Sequence, residues 1–245
     1  MPAFLKVSDK LEELPRKLQL FGYSRQNPIL LRDPNGEDYE VLIGGPYGSH
    51  TYGHVALRVF GKGYDVIYDF GRYGATHGVL GSSGEGILRV WDKSFKNYVK
   101  DENSYGRTTT GYVFATTPAE DKATMEHFKG LTDAGTKQRD DSRGFTQFKL
   151  KEDYEALTQN CTTVCLSGIA AGKPSLSPGL GDPKGSKGRG LSGLEKALAG
   201  GAVGRDIFMP ADLQSNIESS NAYKQKEEFR TGSPLPKERG DWRNE

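Results

Sequence analysis

The sequence predicts an α+β fold in which an antiparallel sheet packs against a cysteine-bearing helix. Three observations carry the prediction. Residues 55–60 and 65–70 alternate apolar and polar side chains and are joined by Gly61-Lys62-Gly63, the pattern of a β-hairpin. Further strand-like runs stand at 39–43, 86–91 and 109–116, separated by turn residues. Gln159-Asn160-Cys161-Thr162-Thr163-Val164-Cys165 reads as a helix start, with Asn160 as cap and Cys161 in the first turn.

Each element follows from local chemistry. Residues 8–18 suggest a short helix capped by Ser8, with Glu12 and Glu13 in its first turns. Asp33-Pro34-Asn35-Gly36 is a turn signal ahead of the strand at 39–43. Glycine-rich loops at 44–53 and 71–86 flank the hairpin. Thr117-Pro118-Ala119-Glu120 opens a helix to about residue 131: a threonine cap, proline at the first helical position and glutamate three after the cap. Residues 132–145 are polar and charged and suggest no element, whereas 145–150 alternate as a short strand does. From 172 to 193 the composition collapses to Gly, Ser, Pro and Lys, a loop longer than compact domains usually tolerate. Short helices are expected at 194–199 and 211–217, and the charged tail from residue 219 is expected to be loosely ordered at its end. The organisation reads as an N-terminal extension (1–38), a catalytic domain (39–217) and a charged tail (218–245).

Composition bounds the function classes. Only 35% of the 245 residues are hydrophobic, and the mean hydropathy is -0.65, so the chain is polar. Lys plus Arg (33) nearly balances Asp plus Glu (32), so no global field points to nucleic acid or an anionic membrane. No run approaches the roughly 18 apolar residues of a membrane span. Residues 1–18 mix charges and prolines, unlike a secretory signal, so synthesis in the cytoplasm without a cleaved leader is expected. The two cysteines stand at i and i+4 of one helix, a spacing that keeps them apart, and two free thiols are expected.

Strand parity yields the sharpest deduction. Val55, Leu57, Val59, Val66, Tyr68 and Phe70 share the core face, and the opposite face carries His54, Ala56, Arg58, Asp65, Ile67 and Asp69. With Gly61-Lys62 as a two-residue turn, Phe60 pairs with Gly63 and His54 stands opposite Asp69. A longer turn slides the two strands apart, while any even shift keeps them on one face. A carboxylate beside an imidazole fixes its tautomer and supports its positive charge. A thiol in the first turn of a helix is favoured as thiolate, and an imidazole on a neighbouring strand moves its proton, the two parts of a cysteine hydrolase.

Plainer readings stand beside this one. A histidine at a strand edge is more often structural, a helical cysteine is usually a small hydrophobe, as Cys165 reads, and Asp69 has Arg72 within reach in sequence. His50 and His54 have the spacing of a helical zinc pair, but Gly48, Gly53 and the strand after them argue against a helix. Residues 33–38 lack calcium-loop spacing, and 81–86 lack the Lys-Ser/Thr sequel of a phosphate loop, so neither metal nor cofactor is expected.

The segment Gly53-His54-Val55-Ala56-Leu57-Arg58-Val59, an adjoining strand, and then Asn160-Cys161-Thr162-Thr163 at a helix start resembles the permuted branch of the NlpC/P60 papain-like superfamily, in which the His-bearing strands precede the Cys-bearing helix. Tyr154, Leu157 and residues 209–213 fit that branch too, and the likeness covers about residues 40–217. The resemblance implies a papain-like α+β core and a triad carried over as Cys161, His54 and Asp69. It implies cleavage of amide bonds in peptidoglycan stem peptides, and a likeness to toxins that type VI secretion systems deliver to the periplasm of rival bacteria. An immunity protein and a secretion-apparatus carrier would then be its partners, and the protein a monomer. Tyr47, Tyr52, Tyr73 and Asn160 are candidate substrate-binding residues, with ordinary loop packing as the alternative for the tyrosines. No cell-wall-binding repeat is present, and the 172–193 segment departs from the family pattern. An acyltransferase, thioesterase or protease acting on a lipid or protein, and a binding module without catalysis, remain as alternatives.

Overall fold

The computed structural model describes residues 38–46, 52–77, 83–181, 188–193 and 208–236. The helices expected at 8–18 and 194–199, together with Tyr47 and His50, lie outside those residues. The described part is mixed α+β, built on a large antiparallel sheet with few helices. Its strands are β1 (Asp38–Gly44), β2 (His54–Gly61), β3 (Tyr64–Gly71), β4 (Thr76–His77), β5 (Ser83–Gly84), β6 (Ile87–Asp92), β7 (Thr109–Ala115), β8 (Thr136–Asp141), β9 (Phe145–Lys149), β10 (Tyr154–Glu155) and β11 (Gln225–Phe229). The helices are α1 (Phe95–Ser104), α2 (Pro118–Ala134), α3 (Cys161–Gly172), α4 (Ser177–Leu180) and α5 (Pro210–Ser220). Eight strands join in the order β11-β7-β1-β2-β3-β6-β9-β8, each antiparallel to its neighbours. A small second sheet runs β10-β5-β4.

The hairpin forms with a different register from the one expected. Lys62 and Gly63 make the turn, with Gly63 at φ 97°, a backbone that glycine adopts without strain. Gly61 therefore pairs with Tyr64, and Ala56 rather than His54 stands opposite Asp69. The shift is by two residues, so His54 and Asp69 keep a common face and lie on a diagonal across the two strands.

Both sheet faces are buried. On one, Val55, Leu57, Val59, Tyr68 and Phe70 form a core with Phe128 of α2 and Val164, Cys165 and Ile169 of α3. Tyr68 stacks on Phe128 with ring centroids 3.9 Å apart. On the other, α1 lays Phe95, Tyr98 and Val99 over Leu42, Ala56, Ile67 and Trp91. This second layer makes room for charge only where the charge is paired. Arg58, fully buried, donates to both carboxylate oxygens of Asp65 at 2.7 and 2.6 Å and to Glu40 at 2.7 Å. Its guanidinium lies 3.6 Å from the Phe95 ring centroid.

Helix α2 begins with the expected capping box: Thr117 accepts from the Glu120 N–H, and the Glu120 carboxylate accepts from the Thr117 N–H. The stretch expected to carry no element, 132–145, contributes the last turn of α2 and the edge strand β8. The 218–245 boundary falls inside α5, and residues 225–229 form the other edge strand, while the end of the tail lies outside the described residues. Within 172–193, residues 177–180 form the single turn α4. Among the described residues no helix is long and apolar enough to cross a membrane.

Candidate active site

Two local devices present the central side chains. His54 opens β2, where Gly44 of β1 is its direct partner. A side chain at Gly44 would collide with Arg107, so the absence of a Cβ lets the Arg107–Glu102 ion pair, 2.6 Å long, pack over the strand beside His54. Cys161 opens α3 because Asn160 caps it. The Asn160 side-chain oxygen accepts from the N–H groups of Thr162 and Thr163 at 2.9 and 3.1 Å, while Thr163 Oγ1 accepts from the Asn160 N–H at 3.0 Å. The Asn160 amide nitrogen donates to the carbonyls of Ala156 and Phe208, which ties the helix start to the segment entering α5. The first N–H groups of a helix have no partner within it, and the N–H of Cys161, the first residue of α3, is one of them.

The structure brings Cys161, His54 and Asp69 together. His54 Nε2 lies 2.5 Å from an Asp69 carboxylate oxygen. With Nε2 held there, Nδ1 is the nitrogen left for Cys161, whose thiol lies close enough to His54 and to the backbone N–H of Val55 for both to favour its ionised form. Cys161, His54 and Asp69 are 4%, 7% and 2% exposed, so their mutual charges act in a poorly screened setting. Burial works against charge on the imidazole, but the Asp69 carboxylate and Cys161 outweigh it and push its pKa up to about 10. Burial likewise opposes a thiolate at Cys161, and the hydrogen bond and charge of His54 overcome this and hold its pKa below the ordinary thiol value. Asp69 is also held low: burial opposes it, and His54, Arg89 and the Tyr73 hydroxyl prevail. Both shifts favour the thiolate–imidazolium form of the pair, backed by a carboxylate. Cys165, one turn on, is pushed well above the ordinary thiol range by burial and by Cys161.

Two of the expected substrate residues belong to the frame of the site. Tyr73 donates to both oxygens of Asp69 at 2.9 and 3.1 Å, and the Arg89 guanidinium lies 3.4 Å from its ring centroid. Asn160 is 2% exposed and its side chain is committed to the cap and to backbone carbonyls, so it positions α3. Tyr52 is half-buried just ahead of β2, and Tyr47 lies outside the described residues. Asp69 makes no bond to Arg72, the pairing the plainer reading allowed; Arg89, directly across β3–β6, supplies the neighbouring positive charge.

Four residues around the site were given no catalytic or binding role from the sequence. Arg89 interrupts the apolar run Ile87-Leu88-Arg89-Val90-Trp91, a signal that a charge is expected to have a partner within the sheet. Glu102 and Arg107 lie at the end of a helix that the sequence reading omitted. Tyr154 stacks on Phe70 at 5.7 Å and lies close enough to Cys161 to feel its charge; burial and that charge push its pKa well above the ordinary tyrosine value, so its hydroxyl stays protonated. Among the described residues no group of three or more His, Cys, Asp or Glu is arranged to hold a metal ion. Comparison with family models, with curated proteins and with solved structures found no match.

Proposed function

We propose that the protein is a papain-like cysteine hydrolase of the permuted NlpC/P60 type that cleaves amide bonds, with peptidoglycan stem peptides as substrate and antibacterial toxicity as its use. The observation that carries the reading is the continuous line Cys161–His54–Asp69, in which the thiol is favoured as thiolate and the imidazole as imidazolium. A merely structural cysteine has no need of that ionisation, as Cys165 illustrates.

The chemistry follows from the geometry. The Cys161 thiolate attacks the amide carbonyl carbon; the C–S bond forms and the carbonyl π electrons move to oxygen. The Cys161 N–H and the Tyr154 hydroxyl are the donors available for that oxyanion. His54 delivers its Nδ1 proton to the amide nitrogen as the C–N bond breaks, and the amine leaves. The neutral imidazole then takes a proton from water. The resulting hydroxide attacks the thioester, the C–S bond breaks, and the thiolate–imidazolium pair is restored. Asp69 keeps Nδ1 facing the sulfur throughout, through its bond to Nε2.

Incubation with purified peptidoglycan, followed by mass spectrometry of the released fragments, tests the reading. New amine and carboxylate termini at one stem-peptide bond, absent with Cys161→Ala, are expected. Intact peptidoglycan alongside hydrolysis of a lipid ester or a protein would move the substrate to the alternative classes.

A further inference from the structure

Arg72 stands in sequence between two residues of the Asp69–Tyr73 frame yet joins neither. Its guanidinium carbon lies 5.5 Å from the centroid of the ring of Tyr154, a residue packed against the core cluster that contains Cys161 and close enough to feel the sulfur's charge. Carboxylates surround this stretch, and each is engaged elsewhere. Glu85 accepts from Lys149 at 2.6 Å and from the Ala75 N–H at 3.1 Å. Asp153 faces His77 at 3.6 Å, Glu152 accepts from Gln159 at 2.9 Å, and Glu155 accepts from Thr158 at 2.7 Å. Asp69 is taken by His54 and Tyr73. Among the described residues, the Arg72 guanidinium faces the Tyr154 ring and makes no ion pair with a carboxylate. The side chain is half-buried, so it is held against the ring and still reached by solvent.

A guanidinium resting on an aromatic ring is oriented, while its N–H donors keep the planar fork that matches a carboxylate. The position also matters. Arg72 is one tyrosine side chain away from the nucleophilic sulfur, a span that one or two residues of bound peptide cover at roughly 3.5 Å each. We propose that Arg72 is an anion-recognition subsite that binds a substrate carboxylate one or two residues from the scissile amide. The substrate class is then peptides with an acidic side chain or a free C-terminus beside the cleaved bond. This rests on Cys161 being the nucleophile and adds what the nucleophile alone does not choose: the charge of its substrate.

Two alkylating probes that differ only in charge test it, N-iodoacetylglycine and N-iodoacetylglycinamide, with the Cys161 adduct quantified by peptide mass spectrometry. The native protein is expected to favour the acid. Arg72→Gln should cut the acid-to-amide rate ratio by about tenfold, the scale of one charge-assisted hydrogen bond, and Arg72→Lys should retain part of the preference. The His54 imidazolium is common to all three proteins, so its share of the ratio remains. A ratio within twofold of native in Arg72→Gln overturns the subsite and leaves the nucleophile assignment standing. Native Cys161 that reacts with both probes no faster than free cysteine near neutral pH removes the nucleophile assignment, and the subsite with it.

Discussion

Cys161 and Cys165 sit one helical turn apart in opposite electrostatic surroundings, the first beside an imidazolium and the second deep among apolar side chains. Cys161→Ala is therefore expected to abolish hydrolysis with the fold intact. Cys165→Ala should cost about 1 kcal/mol of stability and leave the chemistry in place. Denaturant melts alongside an activity assay read both, and a selective catalytic loss in Cys165→Ala would reverse the assignment. Asp69→Asn keeps shape and removes the charge behind the imidazole, so the rate should fall by an order of magnitude or more. The double variant with His54→Ala should lose little beyond the worse single one; additive losses would mean that the two act separately. Parity along the strands was enough to bring Asp69 to His54, because side-chain faces survive an even register shift. Their direct opposition was not legible, since Gly61, Lys62 and Gly63 permit more than one turn, and the positive φ of Gly63 selects Lys62-Gly63. The bond from Tyr73 to Asp69 was not legible, because its sequence neighbours say only that it lies in a loop, while its ring folds back to Asp69.

At the scale of elements, what was legible had strong local chemistry. The capping box of Thr117 and Glu120, the Asn160 cap and the alternation of 55–60 and 65–70 each specify an element without tertiary help. Strand β8, Thr-Lys-Gln-Arg-Asp-Asp, is an exposed edge whose pairing to β9 rests on backbone groups, so its side chains carry no strand signal. Strand β11 likewise buries only Phe229, against Phe95 at 5.3 Å. Helix α1 is different: Phe95, Tyr98, Val99 and Glu102 recur at helical spacing, and the signal was present but unread. Its omission hid the second buried face, on which Arg58 lies. Arg58 neutralises Asp65 and Glu40 inside that layer. Arg58→Met should destabilise the protein by about 3–5 kcal/mol, because it leaves two buried carboxylates without their cation. Urea melts measure this, and a change under about 1 kcal/mol would mean that water reaches the pair.

For the whole molecule, a sheet sealed on both faces fixes the start of β2 against the start of α3, which holds a charged pair out of water. If its substrate lies in the cell wall, expression in a Gram-negative host should be lethal only when a leader directs the protein to the periplasm. Equal killing from the cytoplasm, scored by plating, would point to a protein or lipid target instead. The central claim, that the fold ionises Cys161 against His54, is tested most directly by the rate of iodoacetamide alkylation of Cys161 as a function of pH. The sign follows from the two shifts: the thiol titrates below its ordinary value and the imidazole up to about 10, so the ion pair occupies the interval between them. The rate should reach its plateau at a pH below the ~8.5 of a free thiol and fall in more acid solution. His54→Ala should move the inflection up into or above the free-thiol range. A single inflection in the native protein at or above ~8.5, unmoved by His54→Ala, would contradict the account.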